Sequence, residues 1–325
     1  MSAVQPDGGY DFVSDQVFEN TFTIADIATL DDETLADFVT CGVGGVTIAD
    51  IGLALHDAPS ELVERFIRDV SATERADFTA HIRVAASHAQ VAAAEQRLVD
   101  ALFWELTYWK TPELYEELTE GELLHPGIFE KLGPELRDKV VLDAGAGTGR
   151  ATFDCVRQGA RQVYAVDPSP GLLRLLRKKI AQERDEKVIT PLKGRFDALP
   201  LDDASIDVTI ACAAFTADDE HGGERGLTEM RRVTKAGGMI VIIWPRPIDG
   251  DWLAAHGFQH VEIPTTDEMA VHYRSFGSAL HIAQHFYAHN PDVLTYLLRN
   301  RRPDVPFSIL GMNPPTSYAW LRVEK

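Results

Sequence analysis

The residues best suited to chemistry stand close together in the middle of the chain. Asp143-Ala144-Gly145-Ala146-Gly147-Thr148-Gly149 follows the apolar run Val140-Val141-Leu142, and Asp167 ends a second run, Val163-Tyr164-Ala165-Val166, 20 residues after Gly147. Alternating glycines let backbone approach a ligand closely at the start of a helix, where unpaired N–H groups face outward. An acid about 20 residues on is the arrangement of a nucleotide-binding second strand. The dinucleotide frame itself is imperfect, because a GxGxxG begun at Gly145 needs its third glycine at position 150, which is Arg150. His281, His285 and His289 recur every fourth residue. They are expected on one helix face, where two suit a metal ion but three spread too far for one, so we expect packing or substrate-facing roles and no metal. Cys41, Cys155 and Cys212 are far apart with no CxxC pair, the pattern of buried thiols in a reducing cytoplasm.

Placing these residues requires strands that end at loops. From Lys139 the chain alternates apolar strand runs with helical segments: 140–145, 163–167, 188–196, 206–213 and 237–245. Repeated βα units imply a parallel sheet with ligand at the carboxyl ends of its strands. Near the end, 307–312 and 317–323 read as an antiparallel hairpin joined by Asn313-Pro314-Pro315-Thr316. The expected fold is therefore α/β, a Rossmann-like sheet of seven strands with a C-terminal antiparallel hairpin, preceded by a separate all-helical domain.

The segments VVLDAGAGTGR (140–150), VYAVDPSPGLL (163–173), GRFDALPLDDASIDVTIA (194–211) and EMRRVTKAGGMIVI (229–242) occur in this order over about 105 residues. Together they resemble the class I S-adenosylmethionine (SAM) dependent methyltransferases, specifically the group related to the ubiquinone and menaquinone C-methylases. The resemblance implies SAM as cofactor. It further implies that Asp143, Ala144 and the 145–149 loop, with Ala146 among them, hold the amino-acid end. Asp167, followed by Pro168, takes both ribose hydroxyls, and Asp197 accepts from the adenine amino group with Ala198 and Leu199 beside the ring. Cys212 at the end of strand four and Tyr115 from the segment before the sheet complete the expected cofactor set. Transfer is an in-line displacement that depends on alignment and needs no metal. The catalytic residues stay open, with His221, His272 and Tyr273 as candidates for a base if one is used. Relatives usually show a histidine much earlier after strand four than His221, which leaves the acceptor atom open. Asn313-Pro314-Pro315 matches the start of an amide-methylating NPP[YF] signature, but it follows the wrong strand and reads as a turn.

Net charge divides the chain. Residues 1–125 hold 24 acidic and 6 basic side chains, residues 126–325 hold 26 and 25, and the total is −19. Such a surface repels phosphate backbones and anionic lipid, so neither nucleic acid nor membrane is an expected partner. No secretory signal or apolar run of about 18 residues is present, and the expected location is cytoplasmic. From Asp31 to Trp109 apolar residues recur at helical spacing, and Thr47/Asp50 and Ser71/Glu74 read as capping boxes. A long helix is expected from His88 to Glu105. The runs 30–39, 48–82 and 91–102 resemble the C-terminal helical region of the flagellar motor switch protein FliG, which implies a protein-docking module. An ordinary helical cap or dimerisation domain is the competing reading. The expected organisation is a flexible tail at 1–20, the acidic helical domain at 21–106 and a methyltransferase domain at 107–325. The expected activity is methyl transfer from SAM to a small molecule. The alternatives are a protein methyltransferase recruited through the acidic domain, or a non-catalytic SAM-binding scaffold. Partners follow accordingly: a small-molecule substrate, with a protein partner or self-association through the helical domain.

Overall fold

The structure, a computed structural model, describes residues 20–68 and 70–324. The tail expected at 1–20 lies outside the described residues except for Asn20. The chain divides into two compact units, one containing Glu116–Leu280 and Asp292–Lys325, the other running through Tyr115 and taking in His281–Pro291.

The first unit is built on nine strands, β1 (Val140–Ala144), β2 (Gln162–Asp167), β3 (Ile189–Lys193), β4 (Ile206–Cys212), β5 (Thr234–Ile243), β6 (Gln259–Glu262), β7 (Ala270–His272), β8 (Asp304–Pro306) and β9 (Ser317–Arg322). Seven of them form one sheet in the order β3-β2-β1-β4-β5-β9-β6, while β7 and β8 pair separately. The first five strands of the large sheet are parallel, and β9 runs antiparallel between β5 and β6. Because successive side chains on a strand face opposite ways, both faces are apolar and both are covered. Val141, Ala165, Ile210 and Val241 enter one core with the helices Pro126–Leu136, Arg150–Arg157 and Pro170–Glu183. Leu142, Val166, Ala211 and Ile242 enter the other, under the helices Gly223–Val233 and Gly250–Ala255. Each such Val, Leu or Ile removed from water contributes roughly 1.5–3 kcal/mol, which fixes the register at the strand ends where β1 and β2 deliver their acids.

The hairpin expected at 307–323 takes a different form. Phe307–Leu310 is a short helix rather than a strand, and the antiparallel partners of β9 are β5 and β6, the latter 55 to 61 residues upstream in the paired register. Local alternation in 307–312 is overridden because Phe307 and Leu310, three apart, are the buried pair of a helical turn.

The second unit is helical. A 3₁₀ turn at Ile24–Thr29 leads into helices Asp32–Cys41, Ile48–Ala54, Ser60–Phe66, Ala72–Ile82, His88–Ala101 and Phe103–Lys110. Thr47 and Ser71 cap their helices as the sequence indicates, and Thr23 with Asp26 and Ser87 with Gln90 form two further boxes. The helix expected to run unbroken to Glu105 is interrupted at Leu102, where ψ rises to 10° and a new helix starts. The break lets Leu98, Leu102, Phe103 and Leu106 all face inward, each no more than 1 % exposed. Arg65 ties the first turn down, its Nε donating to Asp32 at 2.7 Å and Nη1 to the Ala28 carbonyl at 2.8 Å. The three histidines do not share a helix face. The helix Phe276–Phe286 carries His281 and His285, whose rings lie 6.3 Å apart, and ends before His289. His285 packs on Phe103 and Phe286. Among the described residues no cluster of ligating side chains could hold a metal, and no helix is long and apolar enough to cross a membrane.

Candidate functional site

Asp143 is the penultimate residue of β1 and Asp167 the last of β2, two residues out of register on neighbouring parallel strands, and both are buried, at 1 % and 5 % exposed. The loop after β1 is pinned beneath them. The N–H groups of Gly145 and Ala146 both donate to the Val166 carbonyl, at 2.9 and 3.0 Å, and Gly149 donates to Ala146 at 2.8 Å. At Gly145, φ is 72°, and a Cβ there would stand 2.5 Å from the Ala214 Cβ and 3.2 Å from the Phe196 ring. Gly149, at φ 97°, caps the helix Arg150–Arg157. The loop is thus held flat against β4's continuation, with a helix N-terminus behind it.

The two acids are bonded differently. Asp167 accepts from the Gly147 N–H through one oxygen and from the Ser169 N–H through the other, both at 2.8 Å. Each carboxylate oxygen keeps a second lone pair for a further donor. Asp143 accepts from the Thr152 hydroxyl at 2.5 Å through Oδ2, whereas its buried Oδ1 has no hydrogen-bond partner among the described residues. Burial pushes Asp143 up to about 7, with the hydrogen bond from Thr152 opposing and the charge of Asp167 adding to the rise. Burial also lifts Asp167 to about 6, against the pull of the two N–H donors. Asp143 is therefore a buried carboxyl whose ionisation an arriving positive charge favours.

The other candidates spread around these two. Pro168 is exposed beside the buried Ser169, whose hydroxyl caps the helix Pro170–Glu183. Asp197 is exposed and lies 3.4 Å from Arg195, and Ala198 closes a tight turn onto the Arg195 carbonyl at 3.2 Å. Leu199 is buried, and its N–H donates to Glu229 at 3.1 Å. Arg232 grips Glu229 together with the carbonyls of Leu199 and Leu201, so Glu229 and Arg232 set the turn that carries Asp197. The Cys212 thiol is pushed up to about 12 by burial and is no nucleophile. Tyr115 belongs to the helical unit, where its ring meets Tyr108 edge-on at 4.9 Å.

The base candidates lie on different elements. His221 closes a 3₁₀ turn and its Nδ1 lies 3.2 Å from Asp218, which also pairs with Arg246 at 2.8 Å. The hydrogen bond from His221 holds Asp218 well below the usual carboxylate range, helped by Arg246. His272 is exposed on β7, 3.0 Å from Asp304, and Tyr273 is buried beside it with its N–H on the Pro303 carbonyl. Sequence reasoning missed Thr152 and the buried pair of Arg150 with Glu122, 2.6 Å apart. Thr152 is the third residue of the helix after the loop, a position from which it can reach back to the strand end. Glu122 lies 28 residues before its partner and nothing local joins them.

Residues 141–238 match the family described as methyltransferase domain. The match lies within the sheet-bearing unit, over β1 to the start of β5. The chain is 34 % identical over 164 residues to the demethylmenaquinone methyltransferase of Thermobifida fusca, a match covering 49 % of this chain and 59 % of that protein. It is 33 % identical over 105 residues to the ubiquinone/menaquinone biosynthesis C-methyltransferase UbiE of a Geobacter species, covering 32 % and 44 %. The chain thus spans about half the length of these curated relatives. A SAM-dependent methyltransferase from Aquifex aeolicus superposes with a TM-score of 0.39 at 20 % identity, covering 50 % of this chain and 92 % of that one. The cofactor that the sequence motifs imply is SAM. The residues at the strand ends fit that group on their own geometry: the orphaned, buried Asp143 Oδ1 suits a cation, and both Asp167 oxygens keep acceptor capacity for a diol.

Proposed function

We propose that the protein transfers a methyl group from SAM to a small-molecule acceptor. The single observation that carries the reading is Asp167, a buried carboxylate at the end of β2 whose two oxygens are oriented by Gly147 and Ser169 and stay able to accept from two neighbouring hydroxyls. A ribose diol is the ligand that such a fixed two-oxygen acceptor selects. Bound SAM supplies an electrophilic methyl on a sulfonium. The chain's own residues orient it. Asp143 offers its orphaned oxygen to the ammonium and sulfonium end, the 145–149 loop excludes side-chain bulk, and Asp197 with Leu199 borders the adenine. Alignment of acceptor, methyl and sulfur then accounts for most of the rate. The relatives named as quinone-pathway methyltransferases support a small acceptor with an activated ring carbon. The helical unit's likeness to a docking module and the division into domains at about 106 are part of the same proposal, with that unit serving recruitment or self-association.

Incubating the purified protein with methyl-labelled SAM and a small-molecule extract, and separately with protein from the same cells, tests the acceptor. Label in the small-molecule fraction is expected, and label only in protein contradicts the reading.

A further inference from the structure

A positive side chain reaches the cofactor loop from its far end. Arg150 follows Gly149 directly and begins the helix behind the loop. Its Nη2 donates to Glu122 Oε2 at 2.6 Å and to the Thr119 carbonyl at 3.3 Å, and its guanidinium lies over the Trp244 ring, 5.7 Å from the centroid. Trp244 is itself held in place, with φ at 56° and its indole N–H on the Asn313 carbonyl at 3.0 Å. Glu122 is 7 % and Arg150 21 % exposed. Trp244 directly follows Ile243, which pairs with Cys212 at the end of β4, so the guanidinium lies at the carboxyl edge of the sheet, the edge to which β1 brings Asp143 and its orphaned oxygen.

A buried ion pair adds little net stability, since desolvation offsets the attraction. A pair aimed at a binding site has another use. The amino-acid end of SAM is a zwitterion, needing an anion for its ammonium and a cation for its carboxylate, and Asp143 is suited only to the first. We propose that Arg150 is the receptor for the SAM carboxylate and that Glu122 is a positioning residue that aims the guanidinium. The inference rests on the SAM-binding reading above. A guanidinium presents a rigid fork that matches a carboxylate's two oxygens, and the Trp244 ring lies beside it within cation–π range.

Calorimetric titration with three ligands separates this role from a structural one: SAM, decarboxylated SAM and 5′-methylthioadenosine, which lacks the amino-acid end. The wild type should bind SAM about 10- to 100-fold more tightly than decarboxylated SAM, the range of a charge-assisted hydrogen-bonded pair. Arg150→Gln should abolish that preference by weakening SAM alone, leaving 5′-methylthioadenosine within about twofold of wild type. Glu122→Gln should narrow the preference partly, again without changing 5′-methylthioadenosine. A wild type that binds SAM and decarboxylated SAM equally overturns the assignment, and that comparison requires no variant to fold. Equal weakening of all three ligands in Arg150→Gln also overturns it, because Arg150 would then be a support of the loop. A wild type that binds none of the three contradicts the SAM-binding reading itself.

Discussion

In the helical unit the carboxylates stand at the surface and finish helices: Asp50 accepts from the Thr47 hydroxyl and N–H, and Glu74 accepts from the Ser71 N–H. In the α/β unit the informative carboxylates are interior, Asp143 and Asp167 at strand ends and Glu122 against Arg150. The first 125 residues hold most of the excess negative charge, yet the chemistry gathers where the charge is nearly balanced. The same carboxyl group, exposed, is held below its ordinary range by its cap, as at Glu74, and buried, is pushed above it, as at Asp143. Environment rather than number of acids marks the functional site.

The contrast can be broken by substitutions of matched type in the two units. Phe66→Ala, which empties a fully buried position stacked on Phe78 at 6.0 Å, should cost about 3–5 kcal/mol in denaturant unfolding. SAM affinity of the folded protein should not change, and a parallel loss would mean that the helical unit shares the cofactor site. Glycine pairs are sharper still. Gly45 and Gly145 have near-equal φ, 75° and 72°, but a Cβ on Gly45 meets nothing within 4 Å. Gly45→Ala should cost only the left-handed strain, about 1–2 kcal/mol. Gly145→Ala should add an overpacking cost of about 1–3 kcal/mol and remove SAM binding.

How far these features were visible in the sequence depends on how local their causes are. The glycine loop, Asp143 and Asp167 are legible because one strand, one turn and one helix start determine them. The caps at Thr47 and Ser71 are legible for the same reason. The partner of β9 was not, because β6 and β9 are brought together across an intervening insert, and the turn at Phe307–Leu310 is set by what it buries. His289 left the helix of His281 and His285 because that helix ends at Phe286, before the new start at Pro291. Arg150 was visible only as a missing glycine. Its meaning needed Glu122 and Trp244, which the fold supplies from elsewhere in the chain.

The pH dependence of the two units should also differ. Asp143 and Asp167 have raised pKa values in the folded domain, so below them the folded state binds more protons than the unfolded chain. Their contribution to stability is therefore present at low pH and is lost as pH rises from about 4 through 6 and 7, with a slope of at most about 1.4 kcal/mol per pH unit for each group. SAM affinity should run the other way, rising as pH increases from 5 to 8 because the cation requires ionised Asp143. Calorimetry in buffers of different ionisation heat should show proton release on binding, diminished in Asp143→Asn. The smallest effect belongs to the helical unit: Thr47→Ala removes an N-cap, costs about 1 kcal/mol of stability and leaves SAM binding unaltered.

The most direct test is a calorimetric titration of the intact protein and of Asp167→Ala with SAM, accompanied by thermal unfolding of both. The expected result is saturable binding by the wild type and none by the folded variant. Absence of binding by the wild type, or equal binding by Asp167→Ala, would contradict the assignment of the strand-end carboxylates as the cofactor site.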